Sequence, residues 1–331
     1  MIELSTDALT VRVDEEHGAA ITFIGLHGLG NVLAEYDWLA PRRAVDSSSY
    51  GSSTLDWLSQ YRGGWQELFP NAGEECVVGG VPLPFHGEVS TGSWAVRDRT
   101  TSSVTLATPS RLPIVLTRRM SIDPHSEVLR LEETLTGESM LAQQLLWVHH
   151  PAFATEPGST IDLPGGSRIV VAEGGGGDLS DLMSGGLGAW PHAPGLRGEE
   201  VSLATVPDHP TERLCYLTDL TEHWVGIRNP VNGWTVGMAW DSGTFPHAWF
   251  WQQIRGQGFP WFGRAQLTAI EPASAWPADG LAANIERGRS TLLDGGGQLS
   301  SWLTVALRRG ATKKVQGVSR SGAIDFDEGL S

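Results

Sequence analysis

The chain has 331 residues, of which 40% are hydrophobic and 18% are charged, so it carries enough apolar material for a large buried core. Its formal net charge of −15 disfavours nucleic acid and anionic membranes as partners, because both bind through basic patches. Apolar runs stay short of the roughly 20 residues of a membrane span. The start of the chain is acidic and only two cysteines occur, so a cytoplasmic protein without disulfides is expected.

Alternation of apolar and polar residues dominates the chain and predicts many short β-strands. The segments that show it are LTVRVDEE, SWAVRDRT, SVTLATP, IVLTRRMSI, EVLRLEETLTG, QLLWVHH, RAQLTAIEP and SSWLTVALRR. Residues 223–240, HWVGIRNPVNGWTVGMAW, predict a hairpin, because the Asn-Gly pair suits a tight turn. Helical periodicity is scarce, and TLDWLSQYRGGWQELF (54–69) is the main helix candidate.

This pattern predicts an all-β chain that forms a large sandwich in a single domain, residues 1–309. The glycine-rich residues 172–200 are predicted to form a long surface excursion, since strand patterning resumes after them. Residues 310–331 are polar and are predicted to be a frayed C-terminal tail. No repeat of fixed period supports a propeller.

Three stretches place titratable residues beside glycine or proline at predicted strand ends, where β scaffolds often build sites. They are VPLPFHGEV with His86 and Glu88, WVHHPAFA with His149 and His150, and AQLTAIEPASAWPADG with Glu271. His150 and Glu271 each precede proline, which restricts their backbone to extended conformations. Neighbouring side chains on a strand point to opposite faces, so only one of the two histidines can address a given site.

Other kinds of site receive less support. His86, Glu88, His149 and His150 resemble the ligand mixture of a cupin, but no His-x-His pair occurs and the adjacent histidines diverge. A Gly-x-Ser-x-Gly nucleophile elbow and a phosphate-binding glycine loop are both absent from the sequence. We therefore predict neither a metal site nor a nucleotide site.

Taken in order, HGAAITFIGLHG, LFPNAGEECVVGGVPLPFHGE, WVHHPAF and LTAIEPASAWPADG resemble the aldose 1-epimerase (galactose mutarotase-like) superfamily over residues 2–307. The resemblance implies a large antiparallel β supersandwich and a sugar isomerase that needs no cofactor. It implies that His86 positions the sugar, that Glu271 takes the proton of the anomeric hydroxyl, and that His150 donates a proton to the ring oxygen. His149 would then face the other way, together with Trp147.

The same resemblance suggests residues that bind the substrate, with some departures from the family pattern. Asn71 matches a family asparagine, but Ala72 stands where typical galactose mutarotases have arginine. Asp208 is a counterpart of the sugar-binding aspartate, with Glu212 as a competing position. PHAWFWQQIRGQGFPWFGRA resembles the hexose-phosphate epimerase branch, which implies sugar contacts from Trp249, Trp251 and Gln252. The arginines suited to an anionic substituent are Arg62, Arg255 and Arg264.

The sequence thus predicts an aldose 1-epimerase-like isomerase of a free or anionic monosaccharide, either monomeric or homodimeric. Two alternatives remain open. One is a non-catalytic carbohydrate-binding protein, and the other is a relative that performs a different acid–base step on a sugar-like substrate.

Overall fold

A computed structural model of the chain describes residues 1–36 and 49–327. The described part contains the short helices α1 (Ser53–Leu58) and α2 (Gly280–Glu286), a 3₁₀ turn at Glu88–Ser90, and many strands. The first strands are β1 (Ile2–Ser5), β2 (Leu9–Asp14), β3 (Ala20–Leu26), β4 (Trp65–Leu68), β5 (Cys76–Val78), β6 (Val81–Leu83), β7 (Ala95–Arg99), β8 (Ser103–Pro109) and β9 (Ile114–Ile122). They are followed by β10 (Val128–Gly137), β11 (Gln143–Leu145), β12 (Val148–Phe153), β13 (Thr160–Asp162), β14 (Arg168–Val171), β15 (Leu187–Ala189), β16 (His192–Pro194), β17 (Glu200–Ser202) and β18 (Thr211–Thr218). The last strands are β19 (Trp224–Asn229), β20 (Trp234–Trp240), β21 (His247–Ile254), β22 (Gln266–Ala273), β23 (Thr291–Leu293), β24 (Gln298–Arg309), β25 (Val315–Val318) and β26 (Ile324–Phe326).

Two large sheets hold most of these strands. One has twelve strands in the order β1-β2-β3-β4-β12-β22-β21-β18-β14-β15-β16-β17, and the other has eight in the order β13-β19-β20-β24-β10-β9-β8-β7. The strand pairs within both sheets are antiparallel. The prediction of an all-β fold with a large antiparallel sandwich is confirmed.

The burial of the strands follows from their position in this sandwich. Strand β9 alternates buried and partly exposed residues, as expected of a strand with one face towards the core. Strand β12 is buried along its whole length, because it lies in the middle of the larger sheet and is covered on both faces. One continuous cluster of buried apolar side chains includes residues from both sheets. A polar side chain on β12 is therefore out of water on either face.

The predicted hairpin forms as β19 and β20, but the helix candidate is wrong over most of its length. Helix α1 begins after Ser52, whose side chain caps it by accepting the N–H of Leu55, and it ends at Leu58. The chain then passes through Gly63 and Gly64, both with positive φ, and continues as strand β4. The apolar residues after the glycines therefore belong to the sheet.

The segments predicted as a surface excursion and as a frayed tail both contain strands. Residues 172–200 include β15 and β16 and reach the start of β17, which together extend the edge of the twelve-stranded sheet. The region predicted to be a frayed tail contains the hairpin β25–β26. Val315 and Val318 of this hairpin pack with Trp224 and Ala239 on the outer face of the eight-stranded sheet. The apolar residues among polar ones explain why residues 315–326 form a packed hairpin.

Neither helix in the described part of the chain is long and apolar enough to cross a membrane.

Candidate active site

The two histidines of β12 lie on opposite faces of the twelve-stranded sheet. His149 is paired in register with Glu67 and His150 with Gln66, so their side chains alternate across the strand. On the next pair of strands, Glu271 of β22 lies opposite Trp249 of β21. The face that carries His150 and Glu271 is turned away from the eight-stranded sheet, and the face that carries His149 is turned towards it.

His150 and Glu271 come together as the sequence predicts. His150 Nε2 lies 3.6 Å from Glu271 Oε1, and the two residues are only 4% and 2% exposed. The other polar atom of each side chain, His150 Nδ1 and Glu271 Oε2, is buried without a hydrogen-bond partner on any residue the structure describes. Buried polar groups are normally satisfied, so a pair left in this state has hydrogen-bonding capacity to offer to a ligand.

Burial shifts the two pKa values in opposite directions. Loss of water lowers the pKa of His150 to about 4, and it raises the pKa of Glu271 well above its ordinary value. Burial therefore favours the uncharged form of each group, a neutral imidazole beside a protonated carboxyl. This is the reverse of the starting state expected from the resemblance, in which Glu271 is the base and His150 the acid.

His86 is the third titratable residue of this site. Its ring centroid lies 5.7 Å from that of His150. The backbone N–H of Gly73 donates to His86 Nδ1 at 3.0 Å, which leaves the ring proton on Nε2. His86 has φ of 61°, and a side chain on the next residue, Gly87, would collide with the carbonyl oxygen of Phe69 at 2.2 Å. This tight turn fixes the position of the His86 ring. Burial keeps the pKa of His86 well below its ordinary value, so the ring stays neutral and can donate from Nε2.

Aromatic side chains cover the pair. Trp57 contacts His86 and His150 edge-on, with ring centroids at 4.6 Å and 5.8 Å. Tyr61 and Trp251 lie 5.8 Å and 5.3 Å from the His150 ring. Sequence reasoning expected sugar contacts from Trp251, but it did not single out Trp57 or Tyr61. Their spacing of four residues, within the segment predicted as a helix, is the signal that could have identified them.

The site is closed in this structure. Trp57 and Phe85 also line a cavity of about 610 Å³, whose lining includes the acidic residues Asp56, Glu75 and Glu88 but not His150 or Glu271. The rings of Trp57, Tyr61 and Trp251 pack on one another and over His150.

Asn71 lies beside the site but its amide is fully engaged. Its Nδ2 donates to the carbonyl oxygens of Glu74 and Pro84, and its Oδ1 accepts the N–H of Leu281 at 2.7 Å. These bonds join the loop that carries His86 to the start of α2. The geometry gives Asn71 a role in positioning that loop, whereas direct sugar binding was expected.

Of the three residues predicted on β21, two share the face of Glu271. Trp251 is partly exposed there, while Trp249 is buried and donates its indole N–H to the carbonyl oxygen of Ala275 at 2.9 Å. Gln252 lies on the other face, fully buried, where it accepts from Arg213 and donates to Thr268. This corrects the prediction for Gln252, because alternation along the strand turns its amide away from the site.

The remaining predicted residues lie at the surface or pair elsewhere. Arg62 is exposed. Arg255 NH2 lies 3.5 Å from Asp208 Oδ1, and the Asp208 side chain is 84% exposed. Glu212, the competing acidic position, accepts from the amide of Gln253 at 3.0 Å. In the described part of the chain, none of these four residues pairs with His150 or Glu271.

On the opposite face, His149 is fully hydrogen-bonded. Trp65 Nε1 donates to His149 Nδ1 at 3.2 Å, so the imidazole proton resides on Nε2 and is donated to Glu133 at 2.9 Å. Burial lowers the pKa of His149, whereas the neighbouring His149 and Arg118 lower the pKa of Glu133 against the opposing effect of burial. His149 is thus a neutral structural residue, on the side of the strand where alternation and the resemblance placed it.

Arg118 completes this buried network. Its Nε donates to Glu133 at 2.7 Å, its NH1 donates to the carbonyl oxygen of Ala19, and its NH2 pairs with Glu67. Glu67 also accepts the indole N–H of Trp147. Glu67, Glu133 and His149 lie close enough together to suit a metal ion, but the guanidinium already supplies the positive charge between the carboxylates. The cupin-like set is also separated, since His149 and His150 occupy different faces.

Comparison with known proteins supports the fold. No protein-family model matches the chain, and no curated protein matches it. Among solved structures, Slr1438 from Synechocystis sp. PCC 6803 superposes with a TM-score of 0.66 at 16% identity, over 93% of this chain and 95% of that one. A Klebsiella pneumoniae protein provisionally named an aldose 1-epimerase gives 0.68 at 16% identity, over 93% and 78% of the two chains.

A third structure, the galactose mutarotase related enzyme from Lactobacillus acidophilus, gives a TM-score of 0.63 at 14% identity, over 94% of this chain and 98% of that one. Sequence identities this low show a shared fold but do not show a shared activity. The chain therefore has the β-sandwich fold of the aldose 1-epimerase and galactose mutarotase-like proteins, and the resemblance seen in the sequence is confirmed at the level of the fold.

Proposed function

We propose that the protein interconverts the anomers of a monosaccharide by general acid–base catalysis, with His150 and Glu271 as the proton-transferring pair and no cofactor. The observation that carries this proposal is the 3.6 Å approach of His150 Nε2 to Glu271 Oε1, with the second polar atom of each side chain unpartnered. Two groups that exchange protons with one substrate must lie close together and keep hydrogen-bonding capacity for it.

The proposed reaction conserves protons. In the resting site Glu271 holds a proton and His150 is neutral. Glu271 gives its proton to the ring oxygen as the bond between that oxygen and the anomeric carbon breaks, while His150 accepts the proton of the anomeric hydroxyl. The exposed aldehyde end rotates, and closure on its other face returns both protons to their original holders. Because the reaction is reversible, each group acts once as acid and once as base.

The pKa shifts of the pair are compatible with acid–base chemistry. Burial disfavours the charged forms of both groups, so it raises the pKa of Glu271 and lowers that of His150. Titratable groups with shifted pKa values, close together in one site, are typical of acid–base catalysis.

The test is exchange between anomers, measured by one-dimensional NMR against a panel of free and phosphorylated aldoses. We expect Glu271→Gln to lower the enzyme-dependent rate by about 10²- to 10⁴-fold, because the amide keeps the shape of the side chain but cannot transfer the proton. Glu132→Gln is the control, since Glu132 is exposed on the other sheet and pairs with Arg119. An unchanged rate in Glu271→Gln would overturn the proposal. Sugar binding by the wild type without any exchange would favour the non-catalytic alternative.

A further inference from the structure

The tyrosine hydroxyl groups of this protein differ in whether they have a hydrogen-bond partner. Tyr36 accepts the backbone N–H of Gln266 at 2.9 Å, and Tyr216 accepts that of Ala278 at 3.1 Å. Tyr50 is 64% exposed and can reach water. Tyr61 is 3% exposed, and its hydroxyl has no hydrogen-bond partner among residues 1–36 and 49–327. A phenylalanine at this position would avoid the cost of burying that hydroxyl.

The Tyr61 ring lies at the candidate active site. It stacks on Trp57 at 5.0 Å and lies 5.8 Å from the His150 ring, with Trp251 and Trp261 at 6.1 Å and 5.7 Å. Desolvation keeps the pKa of Tyr61 well above its ordinary value. The phenol therefore stays protonated and can donate a hydrogen bond across the working pH range.

We infer that Tyr61 is a specificity-determining residue whose hydroxyl binds an uncharged hydroxyl group of the sugar close to the anomeric carbon. Tyr61, His150 and Glu271 each have an unpartnered buried polar atom, and the three side chains lie together: the Tyr61 ring is 5.8 Å from that of His150, which is 3.6 Å from Glu271. Among the residues that the structure describes, the rings in contact with Tyr61 are three tryptophans and a histidine that is neutral near pH 7. These neutral rings offer a phosphate or carboxylate no compensating charge, whereas they can pack against a sugar.

This inference rests on the proposed function for its kinetic part and on the structure alone for its stability part. Tyr61→Phe should raise the melting temperature of the ligand-free protein by about 2 °C, because it removes an unsatisfied buried hydroxyl. Tyr216→Phe is the matched control and should lower the melting temperature, because it leaves the Ala278 N–H without its acceptor. A fall of similar size in both variants would show that Tyr61 has a structural partner and would overturn the inference.

The second measurement identifies the substrate group. We expect Tyr61→Phe to lower kcat/KM for D-glucose or D-galactose about 10- to 100-fold and to leave the 2-deoxy analogue unaffected, because the hydroxyl that Tyr61 binds is already missing. The 6-deoxy analogue, which keeps that hydroxyl, should lose as much as the parent sugar. Thermal shifts caused by the same sugars give a readout that needs no catalysis. If the wild type binds sugars without exchanging anomers, the proposed function fails, while selective loss of binding in Tyr61→Phe still supports Tyr61. Equal effects on every sugar, or no effect on any, would overturn the inference.

Discussion

The two faces of strand β12 carry adjacent histidines that are both buried, yet they differ in how fully their ring nitrogens are hydrogen-bonded. His149 has both ring nitrogens hydrogen-bonded, to Trp65 and Glu133. His150 has one ring nitrogen unpartnered and the other 3.6 Å from a carboxyl that is itself half-satisfied. Burial therefore does not distinguish a structural histidine from a candidate catalytic one in this fold, whereas the completeness of its hydrogen bonding does.

The comparison also separates two uses of buried carboxyl groups. Glu133 lies among donors and a cation that lower its pKa, so it is charged and fixed. Glu271 has no such partners among the described residues, and burial raises its pKa. The core-facing side of the sheet thus has a static charge network, and the other side has the proton that the proposed mechanism transfers. Each prediction below disturbs one side while the other serves as reference.

The largest effect is expected from Arg118→Ala on the core-facing side. Loss of the guanidinium leaves Glu67 and Glu133 buried without their cation, which should lower the free energy of unfolding by about 3–5 kcal/mol. Urea denaturation measures the change. Arg119→Ala is the matched control, since the next residue makes an exposed pair with Glu132 and should cost less than about 1 kcal/mol. Equal midpoints for the two variants would contradict the assignment of a structural network.

His150→Gln tests the other side. We expect the anomer-exchange rate to fall about 10³-fold, equivalent to about 4 kcal/mol of barrier, without a loss of stability. His149→Gln should show the opposite pattern, with a lower unfolding free energy because Trp65 and Glu133 lose their common partner. NMR exchange and urea denaturation on both variants give the comparison. If His149→Gln inactivates the folded protein and His150→Gln does not, the faces have been assigned the wrong way round.

The pH dependence of stability should reveal the lowered pKa of His150. Its pKa is about 4 in the folded protein and near 6.5 in an unfolded chain, so the unfolded state binds the proton first as the pH falls. Above pH 6.5 the neutral His150 leaves the free energy of unfolding at its full value. As the pH falls to 4, protonation of the unfolded state lowers this free energy by about 3 kcal/mol. Unfolding free energies of wild type and His150→Gln at pH 7, 5.5 and 4.5 should diverge accordingly. Parallel curves would mean that His150 is not desolvated.

The smallest effect is expected at the surface pair of Asp208 and Arg255. Because the Asp208 side chain is 84% exposed and 3.5 Å from Arg255, Asp208→Asn should change stability by less than about 1 kcal/mol and the exchange rate by less than about twofold. A large loss of activity would show that Asp208 contacts the substrate, as the resemblance in the sequence implies.

The sequence could predict features that depend on local pattern. Alternation gave the sandwich and set His149 and His150 on opposite faces, and the residue order around His150 and Glu271 selected the pair that the fold brings together. The same alternation puts Trp251 and Gln252 on opposite faces of β21. With the register of β21 against β22, it would have excluded Gln252 from the face that carries Glu271. Register and packing depend on contacts between distant segments, and single residues do not encode them.

The cover over the site illustrates this limit. Trp57 and Tyr61 are apolar residues of a predicted helix, but nothing local shows that their rings pack against His150 of β12. The buried network has the same character, because Glu67, Arg118 and Glu133 come from three strands on two sheets. Asn71 was expected to bind sugar, but its amide holds the surrounding loops together. Its three hydrogen bonds depend on how those loops fold, which the local sequence does not show.

The hairpin β25–β26 has a consequence for solubility. A methyl group on Gly226 would meet Val315 at 2.5 Å, and one on Gly237 would meet Ile324 at 2.9 Å. Either substitution would wedge the hairpin away from the sheet and expose the apolar cluster around Trp224 to water. The two glycines thus keep this apolar cluster covered, and a side chain at either position is expected to promote aggregation of the protein.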